Sequence, residues 1–102
     1  MDATELRQRT EEVAGLLRAL ANPNRLMIVC TLVEGERSVA SLERELGIRQ
    51  PTLSQQLTAL RTARVVEARR ESRTVIYRLA EAKAAKVVEA LHAIYCDMDT
   101  AA

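Results

Sequence analysis

The stretch SVASLERELGIRQPTLSQQLTALR, residues 38–61, decides the fold. It opens on Ser38, whose hydroxyl suits the free N–H groups of a helix start, and its first half closes on Gly47, which takes the left-handed conformation of a helix end at little cost. The pattern predicts a short helix from about Ser38 to Leu46, then a tight connection at Ile48-Arg49. A second helix opens at Gln50-Pro51, Pro being suited to the first turn, and runs to about Ala63. On it Leu53, Leu57 and Leu60 fall on one side and must face a core. Thr52, Ser54, Gln55, Gln56, Thr58 and Ala59 are left outside or at the margins. Two helices joined by a short turn containing Gly, the second presenting polar groups, make a helix-turn-helix.

Outward from this unit the chain reads easily. Val65–Arg70 and Arg73–Arg78 favour β-structure around Glu71-Ser72, a charged hairpin placed as a wing. Upstream, Asn22-Pro23 reads as an N-cap followed by Pro, starting a helix from Asn24 to about Glu34 that Gly35 stops. Before it, Leu6, Val13, Leu16, Leu17 and Leu20 recur at helical spacing between Glu5 and Leu20. A last helix from Glu81 to about Met98 carries Val87, Val88, Leu91, Ile94, Tyr95 and Met98 on one stripe. That stripe is too apolar for a terminal helix left in water, so it and the first helix are expected to bury a symmetric homodimer interface. The expected fold is mainly α with a β-hairpin wing: a winged helix-turn-helix in the order α-α-α-α-β-β-α. It forms one domain over residues 1–102 with dimerisation helices at both ends.

Composition agrees. A chain of 102 residues has room for one core. Sixteen Ala and 13 Leu against two aromatics, Tyr77 and Tyr95, favour helices. No apolar run approaches the roughly 20 residues that span a bilayer, and a start carrying Asp2 and Glu5 does not resemble a signal peptide. A soluble, cytoplasmic protein with no membrane partner is expected. No nucleophile, base and oxyanion donors stand together, so neither an enzyme nor a cofactor is expected.

The formal net charge of +1 hides a segregation. Residues 1–48 and 79–102 each carry a net of −2, while residues 49–78 carry +5, all of the cations there being Arg. A solvated charged face accounts for such a block on counts alone. The groups beside it favour double-stranded DNA. Gln50, Thr52, Ser54, Gln55 and Gln56 offer hydrogen-bonding groups suited to base edges and phosphates in the major groove. Arg61 at the far end of that helix, with Arg69, Arg70 and Arg73 in the hairpin, supplies cations that release counterions.

Four stretches carry a family resemblance: Leu20-Ala21-Asn22-Pro23-Asn24-Arg25-Leu26, Leu42-Glu43-Arg44-Glu45-Leu46-Gly47-Ile48, Gln50 to Leu57, and Ile76-Tyr77-Arg78-Leu79. From about Leu6 to Cys96 the chain resembles the ArsR/SmtB family of dimeric winged-helix repressors. Val29 to Glu36, Gln50 to Leu57 and Leu79 to Ala85 look like its BigR-like, sulfide- and persulfide-responsive branch. Two positions depart from the family pattern. Gln56 stands where many members have His, and Arg64 stands where Gly is common, so Arg64 must accept a positive φ or change the helix cap. The family's metal sites are broken here. The thiolate pair would fall on Ser38 and Ala40, and the last-helix set on Glu81, Lys83, Ile94 and Asp97, where Lys83 and Ile94 cannot serve.

The two cysteines remain. Cys30 lies on an apolar arc with Leu26, Val29 and Val33, where a thiol is commonly a small buried hydrophobe. Cys96 falls off the apolar stripe, on an edge with Ala85, Glu89 and His92, where an accessible thiol is a candidate for redox chemistry. The resemblance implies more: the positions matching Cys30 and Cys96 react with persulfides, become bridged by a disulfide or polysulfide, and release DNA. Reactive sulfur species are then the effector. The same DNA binder with general thiol oxidation as its input, or with none, stays open, as does a winged-helix module for protein contacts.

Overall fold

A computed structural model describes residues 1–80 and 83–96, the side chain of Cys96 excepted. Its helices start where local chemistry supplies acceptors. The Asp2 carboxylate accepts from the Glu5 N–H at 2.8 Å and caps α1, Ala3–Leu20. Asn22 Oδ1 takes the N–H groups of Asn24 and Arg25 at 2.9 and 3.2 Å, and Pro23 fills the first position of α2, Pro23–Val33. Ser38 Oγ accepts from the Ser41 N–H at 3.0 Å to open α3, Val39–Leu46. That helix ends on Gly47 at φ 69°, whose N–H returns to the Glu43 carbonyl at 3.0 Å.

The chain continues through α4, Thr52–Thr62, a hairpin of β2, Val66–Glu71, and β3, Thr74–Leu79, and then α5, Lys83–Leu91. A π-helical turn, His92–Cys96, follows. One core gathers Ile28, Val29 and Leu32 of α2, Leu42 of α3, Leu53, Leu57 and Leu60 of α4, Val66 and Tyr77 of the hairpin, and Val88 of α5. Within it α2 is central, packing against α4, β3, α5 and the π turn.

The expected winged helix-turn-helix is present with three corrections. Arg37–Ser38 forms an extra strand, β1, antiparallel to β3 with Arg37 opposite Tyr77 and Ser38 opposite Ile76. The wing is therefore a three-stranded sheet in the order β1-β3-β2. Two residues are too few to show an alternating pattern. Next, α4 begins at Thr52, with Pro51 as its N-cap rather than in its first turn. Finally, the last helix is not α-helical through to Met98 (which, with Glu81, lies outside the described residues). From His92 its turns widen to an i→i+5 pattern, whereas the wheel that groups Cys96 with Ala85, Glu89 and His92 assumes an α-helix throughout. Among the described residues no single helix is long and apolar enough to cross a membrane.

The join between α4 and the wing is tightly specified. The Val65 N–H bonds the Leu60 carbonyl and the Arg64 N–H bonds the Arg61 carbonyl, both at 3.0 Å. These are the two bonds of a Schellman motif, with Val65 and Leu60 both buried. Arg64 takes the left-handed position, at φ 62°. A side chain there costs about 1–2 kcal/mol, against roughly 0.5–1 kcal/mol of extra chain entropy that Gly loses on folding. Arg64→Gly is therefore expected to raise stability by about 0.5–1 kcal/mol in urea unfolding, and Gly47→Ala to lower it by about 1 kcal/mol.

Candidate nucleic-acid interface and cysteine-bearing face

Burial of Leu53, Leu57 and Leu60 turns the opposite face of α4 outward. Ser54, Gln55, Thr58 and Arg61 are exposed, while Thr52, Gln56 and Ala59 are half-buried at the flanks. Pro51 has no side-chain acceptor for the first turn. Gln50 supplies one. Its Oε1 accepts from the Ser54 N–H at 3.0 Å and the Ser54 hydroxyl at 2.6 Å. Gln50 and Ser54, both read from the sequence as DNA contacts, thus bond each other first, and Gln50 keeps its amide NH2 to donate outward.

Strand register sorts the wing arginines. Arg70 pairs across the ladder with Val75 and shares a face with Ala68 and Val66, which pack inward. Arg69 lies on the other face with Glu67 and Glu71. There its Nη1 and Nη2 reach the two carboxylate oxygens of Glu36 at 2.6 and 3.0 Å, and its Nε reaches Glu71 at 3.0 Å. Arg78 pairs with Glu67 at 2.8 Å on the same face. Arg69 is thus not equivalent to Arg70 and Arg73, as the sequence reading has it. Those two are exposed and form no ion pair among the described residues.

The Arg69 hydrogen bond holds the Glu36 carboxyl below the usual range, outweighing the opposing desolvation, with the charges of Arg69 and Arg78 adding to the lowering; Glu36 and Glu71 raise the Arg69 guanidinium in turn. A depressed carboxyl favours the folded arrangement above its ordinary pKa and loses that effect as pH falls through the lowered value. At neutral pH the pair is fully charged.

Cys30 is half-buried on α2, and Cys96 ends the π turn that packs against the same helix. His92 Nε2 lies 3.9 Å from Glu34 Oε1, linking the start of that turn to the residue that ends α2. The positions of the family's metal sites have other roles. Ser38 caps α3, Lys83 Nζ lies 4.0 Å from Glu12, and Ile94 is exposed, while Glu81 and Asp97 lie outside the described residues. Among the described residues no three or more His, Cys, Asp or Glu are grouped to hold a metal ion.

The apolar stripe of the last helix divides. Val88 is fully buried and Leu91 packs against the chain's own core, whereas Ile94 and Tyr95 are 58% and 67% exposed. On α1, Leu6, Val13 and Leu17 are 50–51% exposed. A single chain thus leaves apolar surface on both terminal elements.

The model of the bacterial regulatory protein arsR family matches residues 22–68, from the cap of α2 into the wing. The chain is 54% identical over 99 residues to the biofilm growth-associated repressor of Xylella fastidiosa strain Temecula1, covering 97% of this chain and 87% of that protein. This chain belongs to the ArsR/SmtB family of bacterial transcriptional repressors. The crystal structure of the transcriptional repressor BigR from X. fastidiosa superposes with a TM-score of 0.89 at 53% identity, over 96% of this chain and 97% of that one. A homodimeric winged helix-turn-helix domain from Mycobacterium bovis, described as a possible ArsR-family regulator, gives 0.79 at 31% identity over 96% and 91%.

In this ArsR-family chain α4 occupies the recognition-helix position, and its N-terminal turn depends on a side chain outside the helix. Gln50→Ala is expected to lower stability by about 0.5–1 kcal/mol in urea unfolding, as loss of a cap does, whereas Gln55→Ala on the exposed face leaves it unchanged.

Proposed function

We propose that the chain is a cytoplasmic, homodimeric repressor that reads double-stranded operator DNA with α4 and the wing. Bridging of Cys30 and Cys96 by reactive sulfur species then releases it. One observation carries the DNA reading: the exposed face of α4 stands beside a wing whose Arg70 and Arg73 lack ion-pair partners among the described residues. Gln55 and Thr58 lie near the centre of that face and suit base edges, with Thr52 and Gln56 at its margins. Arg61, Arg70 and Arg73 suit phosphates. The dimer reading rests on Leu6, Val13, Leu17, Ile94 and Tyr95, and on the homodimer formed by the M. bovis protein. Two recognition helices then meet half-sites about one DNA turn apart.

The effector reading follows from the cysteines' elements and the BigR resemblance. A Cys96 thiolate takes the outer sulfur of a persulfide, forming a Cys96 persulfide and releasing a thiol. The Cys30 thiolate then attacks the Cys96 sulfur, closing a disulfide and expelling hydrosulfide. The persulfide is reduced and the two thiols are oxidised. Retained sulfur atoms lengthen the bridge beyond the Cα separation of about 7 Å that limits a simple disulfide. Because α2 also packs on α4 and β3, fastening it to the π turn acts on both DNA-reading elements. A coupling of about 1–3 kcal/mol loosens operator binding 5- to 150-fold.

Two measurements test this. In a salt series, Arg70→Ala is expected to weaken binding to all sequences and flatten the slope of log K against log salt by about one, whereas Gln55→Ala erodes the preference for operator over random DNA. If neither changes DNA binding, the surface is wrongly assigned. In parallel titrations with persulfide, peroxide and diamide, persulfide is expected to release the wild type. Cys96→Ser stays bound, and Cys30→Ser carries a persulfide on Cys96 by mass spectrometry without releasing DNA. Release of both single variants by persulfide rules out the cysteine sensor, and equal release of the wild type by peroxide replaces it with a general thiol switch.

A further inference from the structure

We infer that Glu36 is the positioning residue of the wing: by gripping Arg69 it sets where Arg70 and Arg73 stand relative to α4. The inference rests on the reading of the wing as a DNA-contacting element. Since the strand order is β1-β3-β2, Glu36, one residue before β1, reaches over β3 to the far strand. β1 pairs with β3 only at Tyr77 and Ile76, so the hairpin from Arg70 to Val75 is a two-stranded ribbon that meets the core through Val75. Such ribbons twist strongly and have little stability alone. Arg69 sits at the last supported rung, opposite Ile76.

The grip is well built. All three guanidinium nitrogens of Arg69 are engaged, two on Glu36 and one on Glu71. Isolated surface ion pairs contribute little, but bidentate Arg–carboxylate pairs within a network are the exception. The base of the grip is also fixed. Arg37 Nη1 donates to the carbonyls of Gly35 and Glu36 at 3.0 Å each, and Arg37 Nε donates to Glu45 of α3 at 3.1 Å. Glu36 is thereby tied to the first helix of the helix-turn-helix, and through Arg69 the wing is tied to it as well.

The sign of the effect makes the test sharp. Neutralising a carboxylate near a polyanion strengthens binding on charge alone. Loss of wing positioning weakens it instead. Glu36→Gln is expected to reduce operator affinity about threefold to tenfold and to flatten the salt slope by up to about one, although Glu36 touches no phosphate. Arg69→Gln should do the same, the double variant should be no worse than either single one, and adding Arg70→Ala to Glu36→Gln should cost little more. Glu36→Gln should lower the urea midpoint only slightly and stay fully folded in the binding buffer by circular dichroism, which separates positioning from folding. Unchanged operator binding by Glu36→Gln overturns the inference, as does tighter binding with a steeper slope, which would make Arg69 a phosphate ligand that Glu36 withholds. If Arg70→Ala alone leaves binding and slope unchanged, the wing reading fails and takes the inference with it. If Arg70→Ala acts but Glu36→Gln does not, the inference alone fails.

Discussion

Burial of Leu53, Leu57 and Leu60 is the constraint on which the rest depends. Each contributes about 1.5–3 kcal/mol of transfer free energy, and together they leave α4 one orientation about its axis. That orientation dictates which polar groups meet solvent. It also fixes the start of the wing, because the Leu60 carbonyl receives the Val65 N–H and both side chains enter the core. Recognition helix and wing are therefore one rigid construction over at least Leu53 to Val66. In the proposed function such rigidity keeps the helix and the wing in fixed relation on the operator.

Beyond Val66 the core holds the hairpin through one face only, at Ala68, Val75, Tyr77 and Leu79, and charge acts on the other. The +5 block that stands out in the sequence is not one uniform surface. Strand alternation divides it, with Arg69 and Arg78 bound to Glu36, Glu71 and Glu67 on one face. Arg70 lies on the other face, and Arg73 lies in the turn. Counting charges cannot separate these roles, because adjacent strand residues point in opposite directions.

What was legible in the sequence is what depends on near neighbours along the chain. Asn22, Ser38 and Gly47 act within four residues of where they sit, and the leucines of α4 repeat at helical spacing. Asp2, three residues before Glu5, is a local start signal of the same kind for α1. The less legible features are of two kinds. Some are too short or irregular to leave a period, such as the two-residue β1 and the π turn at His92. Others join distant positions: Glu36 meets Arg69 across 33 residues, and no local pattern announces it. Gln50 lies between these cases, since a Gln before a Pro that offers no acceptor is a cap only in three dimensions.

The same geometry bears on how so small a chain would join the two parts of the proposed function, DNA reading and sulfur sensing. α2 buries Ile28 and Val29 completely and touches the recognition helix, the wing strand β3 and the last helix. In the proposed function the signal has a short route, because α2 bears Cys30 and packs against the turn that bears Cys96. Well-packed cores deform in discrete steps rather than continuously, so pulling α2 toward the π turn forces its neighbours to choose another packing. In the proposed function the wing is the part of the DNA surface most exposed to such a step, its outer ribbon being held by Val75 and by the Glu36–Arg69 grip. Glu36 sits two residues beyond Glu34, the carboxylate that approaches His92. The segment from Glu34 to Arg37 thus lies between the cysteine-bearing turn and the wing, and in the proposed function a shift at the end of α2 would reach the wing through it.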